Sequence, residues 1–209
     1  DSPDLLQFQT ALALQCFTNE YIYDECENEK KAVELLEVSI EQSLFKGKQP
    51  CPKTILCLAS YRPLNKYKWC GLLVGNNQIH QVLTRQVKEP LEELQLKSNI
   101  CNLGAVNDDI SVKVRSQYEE HPYPRWVKIG LPLTPEPINK IAAKSRIKLF
   151  DNTICNKSAP NILIAGCGTG QHPISTAVRF KNSHVLAIDL SLSSLAYAQR
   201  KTEELGVTN

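Results

Sequence analysis

The sequence predicts an α/β protein in which a mainly helical N-terminal region leads into a β-α-β-α segment of a parallel sheet. Three observations predict this fold class. Residues 161–165 form an apolar run of strand length, which a glycine-rich loop at 166–170 ends abruptly. A second apolar run covers residues 185–188 and closes on Asp189. A strand, a glycine loop, a helix and a strand ending in an acid are typical of the opening unit of a nucleotide-binding sheet.

Helical periodicity dominates the first 120 residues, and no strand-type alternation persists before residue 130. A first helix is expected to start at Ser2-Pro3-Asp4. It carries four apolar residues at helical spacing: Leu5, Phe8, Leu12 and Cys16. A second amphipathic helix is expected over 29–44, with one face formed by Val33, Leu36, Ile40 and Leu44. Shorter helices are expected over 54–61, 77–87, 90–96 and 111–118.

A proline-rich connector separates the helical region from the sheet. Five of the 12 prolines fall between Pro122 and Pro137, and this density precludes regular helix or sheet. We therefore place the domain boundary within this connector. The expected division is a helical domain at 1–120, the connector at 121–137 and a partial nucleotide-binding domain at 138–209.

Five elements are expected after the connector. They are helix 139–150, strand 161–165, helix 171–180, strand 184–188 and a final helix from Ser191 to Leu205. Ser191 is the expected N-cap of the final helix and Gly206 its stop. The first of these helices bears four basic residues: Lys140, Lys144, Arg146 and Lys148. For it we favour a solvated helix face over a nucleic-acid contact.

Composition excludes several classes of protein. The chain has 209 residues, is 42% hydrophobic and 22% charged, and has a net charge of +2. That balance gives no strong nucleic-acid signal. No apolar run reaches the length of a membrane span and no signal peptide is visible, so we expect a cytoplasmic protein. None of the eight cysteines forms a C-x-x-C pair, which favours reduced structural thiols and predicts no metal site. Cys16 and Cys57 lie in apolar runs, where a thiol behaves as a small hydrophobe.

Glycine spacing distinguishes between ligands. The dinucleotide fingerprint G-x-G-x-x-G would need glycine at position 171, which is Gln171. The third glycine comes one residue earlier, as Gly170, and gives the pattern G-x-G-x-G. The alternative interpretation is a glycine turn that binds nothing. The apolar strand before the loop and the acid after the next strand argue against that alternative.

This pattern resembles motif I of the class I S-adenosylmethionine-dependent methyltransferases. The resemblance implies the first half of a Rossmann-like methyltransferase domain with S-adenosylmethionine as cofactor. It implies that Asp189 accepts hydrogen bonds from the cofactor ribose, and that the loop lies against the methionyl end. The implied cofactor-binding residues are Gly166, Cys167, Gly168, Thr169, Gly170, Asp189, Leu190 and Tyr118. Cys167 is expected to pack the loop rather than act as a nucleophile, and His172 to lie solvated at the helix start.

More narrowly, the chain resembles a bacterial group of predicted methyltransferases with tetratricopeptide repeats. The matching residues are 117–119, 122–126 and 166–170, and residues 15–21 and 61–64 are also similar to that group. In class I methyltransferases, residues before the first strand often fold over the cofactor. We therefore expect Tyr118 to bond the methionyl carboxylate, and Tyr123, Arg125 and Trp126 to wall the acceptor side. The alternative is that this aromatic stretch only joins two domains by burying area.

The resemblance leaves the methyl acceptor and any catalytic base unassigned. A complete domain of this family has further strands, so we expect a C-terminally truncated piece that is inactive alone. Two other functions stay open: an NAD(P)-dependent oxidoreductase half-domain, and a non-catalytic module that recruits a protein partner through the helical region. Gln171 argues against the oxidoreductase.

Overall fold

A computed structural model describes residues 3–105, 107–145 and 151–209. Contacts between Cα atoms divide the chain into two compact units, Asp1–Glu92 and Glu93–Asn209. Among the described residues the fold is a helix-rich α/β arrangement with one small parallel sheet of two strands.

Most of the described chain is helical. The α-helices are α1 (Pro3–Thr18), α2 (Glu27–Phe45), α3 (Pro52–Tyr61), α4 (His80–Leu83), α5 (Glu89–Lys97), α6 (Asp109–Glu120), α7 (Ile138–Ser145), α8 (Gln171–Arg179) and α9 (Leu192–Glu204). Short 3₁₀ turns occur at Leu64–Lys66, Cys70–Leu72 and Asn152–Asn156, and a π-helical turn at Thr84–Lys88. The strands are β1 (Asn161–Ala165) and β2 (His184–Ile188). No described helix is long and apolar enough to cross a membrane.

The first unit packs its helices around one apolar core. Its buried members are Ala13, Val33, Ile40, Leu44, Ile55, Leu56, Leu58, Ala59, Leu64, Trp69, Ile79, Val82, Leu83 and Val87. Three of the four residues predicted to share a face of α2 are buried here, and Leu36 is partly buried, so that prediction is confirmed.

Three of the four residues in the predicted apolar stripe of α1 are not buried. Leu5, Phe8 and Leu12 are exposed, whereas Ala13 and Cys16 are buried. The helix itself is confirmed from Pro3 onward, and Ser2 lies outside the described residues. The difference arises because α1 has apolar residues all round, so packing against α3 rather than spacing selects the buried face.

The predicted break before Pro90 is absent. The chain stays helical from α4 through α5, and the π-helical turn at Thr84–Lys88 directly precedes the turn that holds Pro90. Proline has no N–H to donate to the carbonyl one turn earlier, and a local π turn is one way in which a helix absorbs that loss.

The second unit contains the predicted β-α-β-α order. Strands β1 and β2 run parallel, with Asn161 opposite His184 and Ala165 opposite Ile188. Helix α8 connects them and α9 follows β2. The apolar core of this unit is centred on Trp126, Ile174 and Tyr197, with partly buried Ile129, Leu131 and Val207 around it.

The division between units falls earlier in the chain than the connector at 121–137. Helix α6 and the connector belong to the second unit, because α6 contacts α9 and Trp126 lies in the second core. The basic helix ends at Ser145 as described, and Arg146 and Lys148 lie outside the described residues. Within it, Lys144 pairs with Glu136 at 2.7 Å and is two-thirds exposed, as expected of a solvated face.

All eight cysteines lie in the described part of the chain and have free thiols. Cys16 and Cys167 are buried, and burial raises the pKa of the Cys16 thiol. Cys57 is exposed, so it does not pack into the core as a small hydrophobe. It lies on α3 beside the fully buried Leu56 and Leu58, and the helix turns its side chain to the surface.

Candidate functional site

The loop between β1 and α8 owes its shape to three glycines. Gly166, Gly168 and Gly170 have φ angles of 71°, 53° and 89°. Residues with a Cβ rarely adopt such angles because the side chain approaches the backbone carbonyl too closely. Glycine at alternate positions therefore lets the chain reverse tightly at the carboxyl end of β1.

The three glycines have different surroundings. A Cβ at Gly170 would lie 2.6 Å from the Cβ of Ala198 and 2.9 Å from its Cα, so this glycine lets the loop press against α9. A Cβ at Gly166 would meet nothing within 4 Å, and one at Gly168 only the carbonyl oxygen of Tyr123, at 3.9 Å. The first two glycines thus present open backbone, and the third serves packing.

The loop is tied to the end of β2. The N–H groups of Gly166 and Cys167 donate to the carbonyl of Ile188, at 2.8 and 3.1 Å. The carboxylate of Asp189 accepts the N–H of Gly168 at 2.8 Å. The predicted acid therefore lies in direct contact with the predicted loop.

Asp189 retains capacity for further hydrogen bonds. One carboxylate oxygen accepts from Gly168, and the other accepts the N–H of Ser191 at 3.0 Å. An ionised carboxylate offers about four lone-pair sites, so each oxygen can accept one more bond. Asp189 is half-buried and Leu190 beside it is exposed. These two residues can meet a ligand that lies along the open side of the loop.

The N-termini of α8 and α9 are capped differently. The N-cap of α8 is Gly170, which has no side chain to accept a bond, and exposed His172 lies in its first turn. The N-cap of α9 is Ser191, whose Oγ accepts the N–H of Ser194 at 3.0 Å. The first turn of an uncapped helix directs N–H groups toward anions, although Pro173, the third residue of α8, has none to offer. The start of α8, next to the glycine loop, is thus suited to a carboxylate or phosphate group.

A second cap on α9 comes from α6 and was not predicted. The carboxylate of Glu119 accepts the N–H groups of Leu192 and Ser193 and the hydroxyl of Ser193. Burial raises the pKa of Glu119, but the hydrogen bonds from Ser193 and from Lys97, 3.2 Å away, outweigh it, so the pKa lies below its usual range. No local pattern links Glu119 to a helix start more than 70 residues later, so this cap could not be predicted from the sequence.

The thiol of Cys167 is unsuited to nucleophilic attack. It is buried, and burial together with the neighbouring charge of Asp189 raises its pKa to about 11. A thiol with so high a pKa stays protonated at neutral pH and is a poor nucleophile. This geometry agrees with the packing role expected for Cys167.

Part of the connector lies beneath the glycine loop. The hydroxyl of Thr169 donates to the carbonyl of Pro124 at 2.8 Å, and the indole N–H of Trp126 donates to the carbonyl of Thr169 at 2.9 Å. Trp126 is only 6% exposed. Its ring therefore belongs to the core under the loop and does not wall an acceptor side.

The other residues predicted to fold over the cofactor divide into two groups. Arg125 lies with its guanidinium 4.0 Å from the carboxylate of Glu93, so its charge already has a protein partner. Tyr123 is 67% exposed, next to Gly168. Tyr118 is 40% exposed, and its carbonyl accepts the hydroxyl of Ser191 at 3.0 Å. Of these three residues, the two tyrosines are exposed.

Comparisons with known proteins do not assign the chain to a family. No protein-family model, no curated protein and no solved structure matches this chain. In the described ranges, no group of three or more His, Cys, Asp or Glu side chains is arranged to hold a metal ion.

Proposed function

We propose that residues 161–190 form the S-adenosylmethionine-binding edge of a methyltransferase with a Rossmann-like sheet. We assign no methyl acceptor. The observation that carries the proposal is the contact between Asp189 and the glycine loop. An acid at the end of one parallel strand accepts the N–H of Gly168, in the loop that follows the neighbouring strand. Such a crevice at the carboxyl ends of parallel strands is where ligands bind in open α/β sheets.

The residues present fit the chemical groups of this cofactor. The two spare acceptor sites of Asp189 match a pair of ribose hydroxyls. The start of α8 suits the methionyl carboxylate, and the missing Cβ atoms of Gly166 and Gly168 leave room for the cofactor against the loop. The exposed side chain of Leu190 offers apolar surface to the adenine ring.

The chain's own contribution is binding and orientation. The cofactor supplies a methyl group activated by an adjacent sulfonium, so the protein must hold it and exclude water. The phenol of Tyr118, exposed at the end of α6, is our candidate partner for the methionyl carboxylate. Tyr123 is our candidate for covering the open side of the loop. We assign no general base.

Gly170 also bears on the oxidoreductase alternative. In the dinucleotide fingerprint the last glycine permits close packing of the helix. Here Gly170 already provides close packing, against Ala198, and position 171 is glutamine. The packing role of the last glycine is therefore filled one position earlier than in the dinucleotide fingerprint. For this reason we favour S-adenosylmethionine over NAD(P) as the cofactor.

The test is a calorimetric titration of S-adenosylmethionine and, separately, NAD into the wild-type chain and Asp189→Ala. Losing the ribose-bonded carboxylate should weaken S-adenosylmethionine binding by about 1.5–3 kcal/mol, or roughly 10- to 150-fold. NAD should bind weakly or not at all.

Two further variants control this titration. Asp189→Asn keeps one acceptor oxygen, for the N–H of Gly168 or of Ser191, and separates loop support from ribose binding. Asp24→Ala removes an exposed carboxylate from the first unit and should leave the affinity unchanged. Failure of the wild-type chain to bind S-adenosylmethionine, or tighter binding of NAD, contradicts the proposal. A chain that binds neither favours the interaction module.

A further inference from the structure

We infer that the connector segment Pro124–Val127 is a positioning element for the glycine loop: it holds the loop from beneath in its ligand-binding conformation. We call this segment the brace. The inference rests on the proposed function for the identity of the ligand, but its structural basis is independent of it.

The first step concerns the hydrogen bonds between the brace and one residue of the loop. Thr169 is bonded twice, through its hydroxyl to the carbonyl of Pro124 and through its carbonyl to the indole N–H of Trp126. Thr169 is 2% exposed and Trp126 is 6% exposed, so water does not compete for either bond. A single loop residue is thus fixed by both its side chain and its main chain.

The second step concerns the peptide unit between Thr169 and Gly170. Its carbonyl accepts from Trp126, and its N–H donates to the carbonyl of Cys167 at 3.1 Å. With both polar ends bonded, this peptide cannot rotate without losing two hydrogen bonds. The positive φ angles of Gly168 and Gly170 on either side are therefore retained without a ligand.

The third step is the support behind the brace. The hydroxyl of Tyr197 donates to the carbonyl of Trp126, and the ammonium of Lys201 donates to the carbonyl of Val127 at 3.2 Å. The same ammonium lies 5.0 Å from the centre of the Trp126 ring and 2.8 Å from the carboxylate of Glu204. Lys201 is fully buried, so its charge depends on these partners.

Loop and brace therefore rest on the same helix. Gly170 presses on Ala198 of α9. The carbonyls of Trp126 and Val127 are bonded by Tyr197, which precedes Ala198, and by Lys201, three residues after it. A substitution at Trp126 should therefore loosen the loop conformation, although the indole itself contacts no ligand. This defines a positioning role, and a preformed loop binds more tightly because less ordering accompanies binding.

The experiment compares Trp126→Phe with Trp69→Phe by NMR. The chain has two tryptophans, and Trp69 is also buried, stacked on Tyr67 in the first unit. Without any ligand, the Gly170 amide should exchange with solvent at least about 10-fold faster in Trp126→Phe. Amides within β1 and β2 should keep their wild-type exchange, as should the Gly170 amide in Trp69→Phe.

A second pair of variants tests the brace without altering an aromatic core residue. Thr169→Val removes the hydroxyl that bonds Pro124, and Thr169→Ser retains it. Faster loop exchange in the valine variant, with recovery in the serine variant, is the expected result. This pair decides the question if Trp126→Phe does not fold.

Titration of S-adenosylmethionine into the same variants completes the test. Its Kd should rise about 5- to 30-fold in Trp126→Phe and Thr169→Val, rise less in Thr169→Ser than in Thr169→Val, and stay unchanged in Trp69→Phe. Unchanged loop exchange, or faster exchange with unchanged affinity, overturns the inference while the proposed function stands. A wild-type chain that does not bind the cofactor, but whose loop responds as described, refutes the proposed function and leaves the brace in place.

Discussion

Gly170 meets two requirements that are usually met at separate positions. Its φ of 89° lies in the left-handed region, and the space where a Cβ would stand is taken by Ala198 of α9. Gly166 shares the first requirement, with a φ of 71°, but its Cβ would meet open space. Comparing the two residues therefore separates the cost of backbone strain from the cost of steric overlap.

We predict that Gly170→Ala destabilises the second unit more than Gly166→Ala. Backbone strain alone should cost about 1–2 kcal/mol in either variant. The overlap with Ala198 should add about 1–3 kcal/mol for Gly170→Ala only. Urea unfolding, followed by the fluorescence of Trp126 in a Trp69→Phe background, measures both free energies. Equal losses in the two variants would show that α9 yields to the added methyl group.

At the scale of elements, Gln86 is the buried polar centre of the first unit. Its amide donates to the carbonyls of Ala13 and Ala59, each at 3.0 Å, and its carbonyl oxygen accepts the N–H of Leu64 at 3.3 Å. It therefore joins α1, α3 and the 3₁₀ turn after α3 to the π-helical turn on which it lies. A buried amide so fully bonded specifies how these elements meet.

We predict that Gln86→Leu lowers the free energy of unfolding of the first unit by about 2–3 kcal/mol, because buried backbone groups lose their partners. Gln81→Leu, at an exposed position on α4, is the matched control and should change stability by less than about 0.5 kcal/mol. Denaturant unfolding monitored by Trp69 fluorescence distinguishes the two. A similar small loss in both variants would show that the buried amide of Gln86 is dispensable for joining these elements.

The elements that local sequence signals define were predictable. Ser191 and Gly206 mark the two ends of α9, and three glycines mark the turn after β1, as the structure confirms. The place of Gln86 was not predictable, because its partners come from three separate elements. The same reason applies to α1, whose buried face is chosen by α3 rather than by its own spacing.

The site was predictable in outline only. The contact of Asp189 with the loop follows from parallel strand order, because adjacent parallel strands end at one edge of the sheet. The position of Trp126 depends on a hydrogen bond to Thr169, 43 residues away, which no periodicity encodes. A buried indole does need a hydrogen-bond acceptor, and that need was the available signal.

At the scale of the whole molecule, each unit contains one tryptophan and carboxylates whose pKa is held low. In the first unit, hydrogen bonds from Arg62 outweigh burial and lower the pKa of Glu25. In the second, Glu119 is held low by Ser193 and Lys97. A lowered folded-state pKa adds stability above the unfolded-state value, about 4.3, and this stability is lost as the pH falls through the folded-state pKa. Both units should therefore weaken in acid.

We predict that Glu119→Gln removes part of this acid dependence from the second unit. At pH 7 the variant should be less stable than wild type, and the difference should shrink as the pH falls below about 4. The neighbouring Glu120→Gln, at an exposed side chain, should follow the wild-type profile. Urea midpoints between pH 3 and 7, read from Trp126 fluorescence, check this. A constant difference across that range would mean that Glu119 acts through shape rather than charge.

The two bonds of Thr169 constrain natural variation unequally. Any residue at position 169 supplies the carbonyl that Trp126 bonds, but only threonine and serine supply a small hydroxyl for Pro124. Position 126, in contrast, needs both a large ring for the core and an N–H for the loop, which among the aromatic side chains favours the indole. During divergence of the sequence, we therefore expect position 169 to alternate between two residues while position 126 stays fixed.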